Sequence, residues 1–152
     1  MTKHGSVDNP LLGTWQLVRW GIHYGDGRPE SLPFGADATG LILYSSDGSM
    51  NACIARAARG RLSSDSVRNA PEAERLAAFE SYFQYAGPYA IRGEPGHQQV
   101  VHTVTHALNP NFVGTEQVRD MTFADDGTLT LSASDTVPGT TIARHHRLVW
   151  RR

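Results

Sequence analysis

The chain has 152 residues, of which 39% are hydrophobic and 19% are charged, a balance typical of one globular domain. Its 14 basic and 15 acidic residues give a formal net charge of -1, which excludes the positive field that binds nucleic acid or an anionic membrane surface. No apolar run approaches the roughly 20 residues of a membrane span, and residues 1–10 lack the apolar segment of a signal peptide. Cys53 is the single cysteine, which excludes an internal disulfide. We therefore expect a cytoplasmic protein.

The N-terminal half is predicted to form strands. Residues 1–10 form a polar lead-in, and 11–152 a single domain. Residues 13–22 alternate and are rich in aromatic and branched side chains, which predicts a strand. A loop dense in Gly, Pro and Asp follows at 23–38. Residues 39–55 are predicted as a β-hairpin, because two apolar arms flank an Asp-Gly turn.

One helix is predicted, over residues 69–86. Asn69 is placed to cap it, and Pro71 lies in the first turn, where proline is tolerated. Four apolar residues recur at helical spacing, and these are Leu76, Phe79, Phe83 and Ala86. We expect this stripe to pack on the rest of the domain, and a partner-binding helix is the alternative.

The C-terminal half returns to strand patterns. The predicted strands are 88–93, 99–108, 115–123, 128–134 and 140–152. About eight strands without βαβ alternation predict a mainly β fold, a closed antiparallel barrel with the 70–86 helix packed across one opening. A barrel of this size has room for one small ligand.

Five motifs stand in the order seen in the bacterial lipocalin-like domain family. They are LLGTWQLV (11–18), PFGADATGLILYSSDGSM (33–50), ESYFQYAGPYAI (80–91), HTVTHALNPNFVGTEQVR (102–119) and LVWRR (148–152). The chain resembles this family over nearly its whole length, although His106 departs from the small residue usual there. The helix precedes the fourth strand, whereas that of secreted lipocalins follows the barrel. The resemblance implies a calycin-type barrel around an apolar pocket for a small hydrophobic molecule, and it implies no particular reaction. It also implies that Trp15 closes one end of the barrel, its face covered by Arg151 or Arg152.

Strand alternation predicts which side chains face the barrel interior. Apolar residues identify the inward face of each strand, and threonines at 103 and 105 suit the outward face. The inward sets are His102, Val104, His106 and Leu108; Gln117, Arg119, Met121 and Phe123; and Arg144, His146, Leu148 and Trp150. An apolar pocket with a few placed polar groups is typical of a small-molecule site.

A metal site is not expected. His102 and His106 would lie ~13 Å apart along one strand, too far to share a metal ion. Arg119 has no evident inward carboxylate on the strands near it. Either a ligand oxygen, or a loop acid and backbone carbonyls, would then balance this guanidinium.

The predicted site contains His102, His106 and Arg119 as catalytic residues, with no metal and no cofactor. The predicted ligand-binding residues are Gln117, Tyr44, Tyr82, Tyr85, Tyr89, Met121 and His146. The expected ligand is small and largely apolar and carries a carboxylate, phenolate or carbonyl oxygen. Histidine protonation is expected to change its affinity between about pH 5 and 8.

Two classes of function remain open. One is a cofactor-free acid/base enzyme of isomerase, cyclase or dehydratase type, acting in secondary metabolism. The other is a non-catalytic carrier or sensor of a small hydrophobic ligand. A homodimer is also left open, whereas nucleic-acid and membrane partners are not expected.

Overall fold

Eight antiparallel strands form a closed barrel with one α-helix in the computed structural model, which describes residues 8–152. The mainly β fold predicted from the sequence is therefore confirmed, while residues 1–7 of the predicted lead-in lie outside the described residues. The strands are β1 (Gly13–Tyr24), β2 (Thr39–Tyr44), β3 (Ser49–Ala55), β4 (Tyr82–Arg92), β5 (Gln99–Thr103), β6 (His106–Ala107), β7 (Glu116–Phe123), β8 (Leu129–Thr136) and β9 (Ala143–Arg151). The helix, α1, spans Glu72–Glu80.

Two pairings close the sheet into a barrel. The strands follow one another in chain order, with β5 next to β7, and β9 returns to pair with β1. The β3–β4 pairing joins the two halves across the segment that contains α1. The two-residue β6 stands outside this circuit and, among the described strands, pairs only with β4. Closure leaves the barrel with one buried interior.

A bulge in β1 changes which of its side chains face inward. Trp15 is buried and Leu17 packs on the core, as alternation predicts. The pairing of β1 with β9 shifts register between Leu17 and Arg19. Beyond this shift, Trp20 and Ile22 occupy the inward positions, so the bulge adds an aromatic side chain to the interior.

Trp15 and Arg152 close one end of the barrel, as the family resemblance implies. The Arg152 guanidinium lies over the Trp15 ring, 4.2 Å from its centre. It also donates hydrogen bonds to the carbonyls of Pro10 and Leu12, at 2.6 and 3.0 Å. These contacts attach the C-terminus to the start of β1.

The predicted helix over 69–86 is wrong at both ends. Asn69 ends a short 3-10 helix, and Pro71 occupies the N-cap position without a side-chain hydrogen bond. The chain enters β4 at Tyr82, because seven residues there pair with β3. The expected packing stripe is absent: no residue of α1 is buried, and Leu76 and Phe79 are 57% and 49% exposed.

The predicted strand 99–108 breaks after Thr103, and the break turns His106 outward. An added Cβ at Gly87 would lie 1.9 Å from the Thr103 carbonyl oxygen, so glycine permits this close approach of two backbones. Thr105 then bonds to the Ala86 carbonyl, and the chain resumes as β6. The alternation that places His102 inside therefore does not extend to His106, which is exposed.

Candidate functional site

A cavity of about 420 Å³ lies inside the barrel. Most of its wall is apolar and includes Trp20, Phe83, Phe112, Leu148 and Trp150. The polar lining residues are Tyr85, His102, Gln117, Arg119, Ser134, Asp135, Arg144 and His146. A surface groove of about 500 Å³ between residues 56–61 and α1 is lined mainly by charged and small side chains. The barrel cavity is the better candidate for a ligand site, because large apolar side chains form most of its wall and polar groups face the same space.

His102 lies between two tyrosine hydroxyls. Its side chain is 1% exposed, and it enters the interior from β5. The Tyr44 hydroxyl is 2.7 Å from His102 Nε2, and the Tyr85 hydroxyl is 2.6 Å from His102 Nδ1. Tyr85 and His102 line the cavity, whereas Tyr44 is buried on the far side of the imidazole. Both ring nitrogens are therefore occupied within the protein.

His102 and both tyrosines are uncharged near neutral pH. Desolvation first, and the positive charge of Arg119 second, lower the pKa of His102 to about 3. Desolvation raises the pKa of the Tyr44 and Tyr85 hydroxyls. The prediction that histidine protonation changes ligand affinity between pH 5 and 8 is therefore wrong for His102, which stays neutral over that range.

Arg119 brings a positive charge to the cavity wall. It is partly buried on β7 and donates hydrogen bonds to the Val118 carbonyl at 3.0 Å and to Gln117 Oε1 at 3.3 Å. Gln117 is itself oriented by a 2.9 Å hydrogen bond to Thr115 Oγ1. Among residues 8–152, no carboxylate lies within ion-pair distance of Arg119. A guanidinium has more N–H donors than these two contacts use, so some remain for a ligand.

A second polar group lines the cavity from β8 and β9, the two strands that follow β7 in the sheet. Asp135 forms a two-point ion pair with Arg144, at 2.8 and 2.7 Å, and its Oδ1 is 3.4 Å from His146 Nε2. The Trp20 indole donates to His146 Nδ1 at 3.4 Å. Hydrogen bonding to Arg144 lowers the pKa of Asp135, and burial lowers the pKa of His146 despite the nearby carboxylate. Both contacts of His146 are long, so a ligand can displace them at little cost.

The structure brings five of the predicted site residues to the cavity wall. These are His102, Arg119, Gln117, Tyr85 and His146. Tyr44 reaches the cavity only through His102, and Met121 is buried in the core.

Three predicted site residues lie away from the cavity. His106 is exposed, and its Nδ1 is 2.9 Å from its neighbour Thr105 Oγ1. Tyr82 lies under Arg59, whose guanidinium is 4.9 Å from its ring centre. The Tyr89 hydroxyl donates to the Ser45 carbonyl at 2.7 Å, at the β2–β3 turn. Alternation fails for His106 at the strand break, and Tyr82 lies at the start of β4, beyond the end of α1.

Asp135 and Trp20 line the cavity and were missed by the sequence analysis. Asp135 lies one residue beyond the predicted strand 128–134, and β8 extends to Thr136. Pairing of Asp135 with Arg144 continues the β8–β9 ladder, so the charge pattern of facing strands is a usable signal. No local sequence pattern predicts the β1 bulge that turns Trp20 inward.

A family model for a lipocalin-like domain matches residues 12–152. The chain belongs to the lipocalin-like domain family. The resemblance stated from the motifs is thereby confirmed, and a lipocalin-like barrel with an apolar-walled cavity supports small-molecule binding as its general role. A comparison with curated proteins found no match. No helix among the described residues is long and apolar enough to cross a membrane.

Proposed function

We propose that this lipocalin-like protein binds a small, largely apolar molecule whose carboxylate, phenolate or carbonyl oxygen meets Arg119. The observation that carries the proposal is a guanidinium on an apolar cavity wall that lacks a carboxylate partner among the described residues. Burying a charge without a counter-charge is costly, and an acceptor oxygen on a ligand removes much of that cost. The aromatic and aliphatic walls supply the surface that holds the apolar part.

We propose further that the ligand is a substrate of an acid/base reaction of isomerase, cyclase or dehydratase type. Arg119 would stabilise negative charge as it develops on the substrate oxygen. The proton-transferring group is then His146, since both nitrogens of His102 are held by tyrosines and those of His146 make only long contacts. Asp135 orients the His146 ring from the Nε2 side.

One observation favours a carrier or sensor instead. His102, the most deeply buried histidine of the cavity, has no free nitrogen with which to move a proton. A rigid, fully hydrogen-bonded imidazole suits recognition without turnover. A screen of apolar carbonyl and carboxylate compounds, scored for both thermal shift and product formation, separates the two: a carrier gives shifts without product.

The Arg119→Met variant tests the proposed binding role. It keeps much of the side-chain volume and deletes the charge, so we expect the affinity for an acidic ligand such as 2-naphthoate to fall by ~2 kcal/mol or more, roughly 30-fold, with the melting temperature unchanged. Arg147→Met, on the exposed face of β9, is the matched control. A lower melting temperature with unchanged affinity means that Arg119 is structural and removes it from the site.

A further inference from the structure

The chain Tyr44–His102–Tyr85 holds one more hydrogen than its two hydrogen bonds use. Each phenol carries one hydroxyl hydrogen, and a neutral imidazole carries one N–H. Two hydrogen bonds connect the three groups, at 2.7 and 2.6 Å. A neutral imidazole donates from one nitrogen and accepts at the other. His102 therefore donates to one tyrosine and accepts from the other, and the tyrosine that accepts keeps a free hydroxyl hydrogen.

The surroundings of the two tyrosines decide which of them accepts. If His102 donates to Tyr44, the hydrogen of the Tyr44 hydroxyl is left over. This hydroxyl is buried, and His102 is its only hydrogen-bond partner among the described residues. An unsatisfied buried donor is unfavourable, because it loses its hydrogen bond to water without a replacement. If His102 donates to Tyr85 instead, the hydrogen of the Tyr85 hydroxyl is left over. Tyr85 lines the cavity, where a bound molecule or water can accept this hydrogen. The second arrangement is favoured.

We propose that Tyr85 donates its hydroxyl hydrogen to an acceptor oxygen of the ligand, and that Tyr44 and His102 are positioning residues that fix this arrangement. His102 then carries its proton on Nδ1 and accepts from Tyr44 at Nε2. The inference rests on the proposed binding function and narrows its ligand class. The oxygen meets a neutral donor from β4 and a charged donor, Arg119, from β7, so ligand groups that only donate hydrogen bonds are disfavoured.

The electrostatics of the site agree with this role. Burial raises the pKa of the Tyr85 hydroxyl, while the charge of Arg119 acts in the opposite direction. Tyr85 therefore remains a protonated donor at neutral pH. A neutral donor in a site of low polarity suits a carbonyl oxygen that gains negative charge during a reaction, and it suits simple carbonyl recognition equally.

The tautomer of His102 is the first test and needs no ligand. In the uniformly ¹⁵N-labelled protein, two-bond ¹H–¹⁵N correlations distinguish an Nδ1-protonated ring from an Nε2-protonated one. We expect the Nδ1-protonated form. The Nε2-protonated form overturns the inference, because Tyr85 is then a donor to His102 and has no hydrogen for a ligand.

The second test uses three probes with one apolar frame: 2-acetylnaphthalene, 2-naphthoate and 2-ethylnaphthalene. The ketone carbonyl band of bound 2-acetylnaphthalene reports a hydrogen bond to its oxygen directly, by infrared difference spectroscopy. In Tyr85→Phe we expect this band to move toward its position in apolar solvent and the Kd of the ketone to rise about fivefold to tenfold. The Kd of 2-ethylnaphthalene, which has no acceptor, is expected to change less than about twofold, and this shows that the cavity is intact.

Two further variants complete the design. Tyr82→Phe, also on β4 but outside the cavity, is the matched control and is expected to behave as the wild type. Tyr44→Phe leaves Tyr85 in place but removes the donor to Nε2, so the band is expected between those of the wild type and Tyr85→Phe. A wild-type band in Tyr44→Phe overturns the positioning role of Tyr44.

The outcomes distinguish failure of the proposed binding function from failure of the role proposed for Tyr85. If no probe binds the wild-type protein, the proposed function fails and the role of Tyr85 toward a ligand fails with it. If the probes bind and the ketone band is the same in the wild type and Tyr85→Phe, binding stands and the role of Tyr85 is overturned.

Discussion

At the scale of single residues, His102 couples the interior of the barrel to pH. Its pKa is about 3 in the folded protein against an ordinary value of 6.5. His102 is therefore protonated below about pH 6.5 in the unfolded chain, but only below about pH 3 in the folded protein. Folding stability contributed by a neutral His102 is present above pH 6.5 and is lost as the pH falls between these values.

His102→Gln is expected to remove this pH dependence. Below pH 6.5 the wild type should lose ~1 kcal/mol of unfolding free energy per pH unit more than the variant does, although the variant is less stable at pH 7. Urea unfolding at pH 7, 6 and 5 measures both slopes. His146 and Asp135, whose pKa values are also lowered, contribute equally to both proteins and cancel in the difference. Parallel curves for the two proteins would contradict a buried neutral histidine.

Alternation predicted much of the interior from the sequence, and it failed where the backbone departs from a regular strand. His102, Gln117 and Arg119 all reach the cavity wall, because β5 and β7 are regular where these residues lie. His106 follows a break in the strand, and Trp20 follows a bulge. Such irregularities depend on contacts between distant parts of the chain, such as Thr103 with Gly87, which no local pattern contains.

At the scale of elements, α1 contributes little to the core. Leu76 is 57% exposed and no α1 residue is buried, so Leu76→Ala is expected to change the unfolding free energy by less than about 0.5 kcal/mol. The matched variant Leu129→Ala, at a fully buried position on β8, should cost about 2–5 kcal/mol. Chemical unfolding of both variants makes the comparison. A loss of 2 kcal/mol or more for Leu76→Ala would show that the helix packs on the barrel after all.

The error in the helix boundary has a physical cause. Phe79 and Phe83 lie four residues apart, which fits one face of a helix, and Phe83 and Tyr85 lie two apart, which fits one face of a strand. The pattern is therefore ambiguous over this segment. Pairing with β3 decides it, because Phe83 lies opposite Ile54 and Tyr85 opposite Ala52 in the closed sheet. A tertiary contact overrides the local preference.

Arg152, one residue beyond the end of β9, holds the closed end of the barrel together. Arg152→Ala removes a cation–π contact with Trp15 and two hydrogen bonds to backbone carbonyls. We expect a loss of about 1–2 kcal/mol in unfolding free energy and a change in Trp15 fluorescence. Arg151→Ala, at an exposed neighbouring position, is the control. Equal stabilities of the two variants would mean that the contact contributes nothing to closure.

At the scale of the whole molecule, the fold was more predictable than the site. Motifs spread from Leu11 to Arg152 identify the family, and the family fixes the barrel. The site depends on which side chains meet inside it, and Asp135 shows the difficulty. Its role follows from the extension of β8 and from the ion pair with Arg144 on β9, neither of which strand patterns alone define.

Filling the cavity tests directly whether ligands bind inside the barrel. Ala133 lines the cavity from β8, and Ala133→Trp would place an indole in a space of about 420 Å³. Ala90→Trp, at an exposed position on β4, is the control. The measurement is calorimetric titration of 2-naphthoate into folded wild-type protein and both variants. We expect saturable binding to the wild type and to Ala90→Trp, and at least a tenfold weaker affinity, ~1.4 kcal/mol, for Ala133→Trp. Equal binding to the filled barrel would place the ligand elsewhere on the molecule and contradict binding inside the barrel.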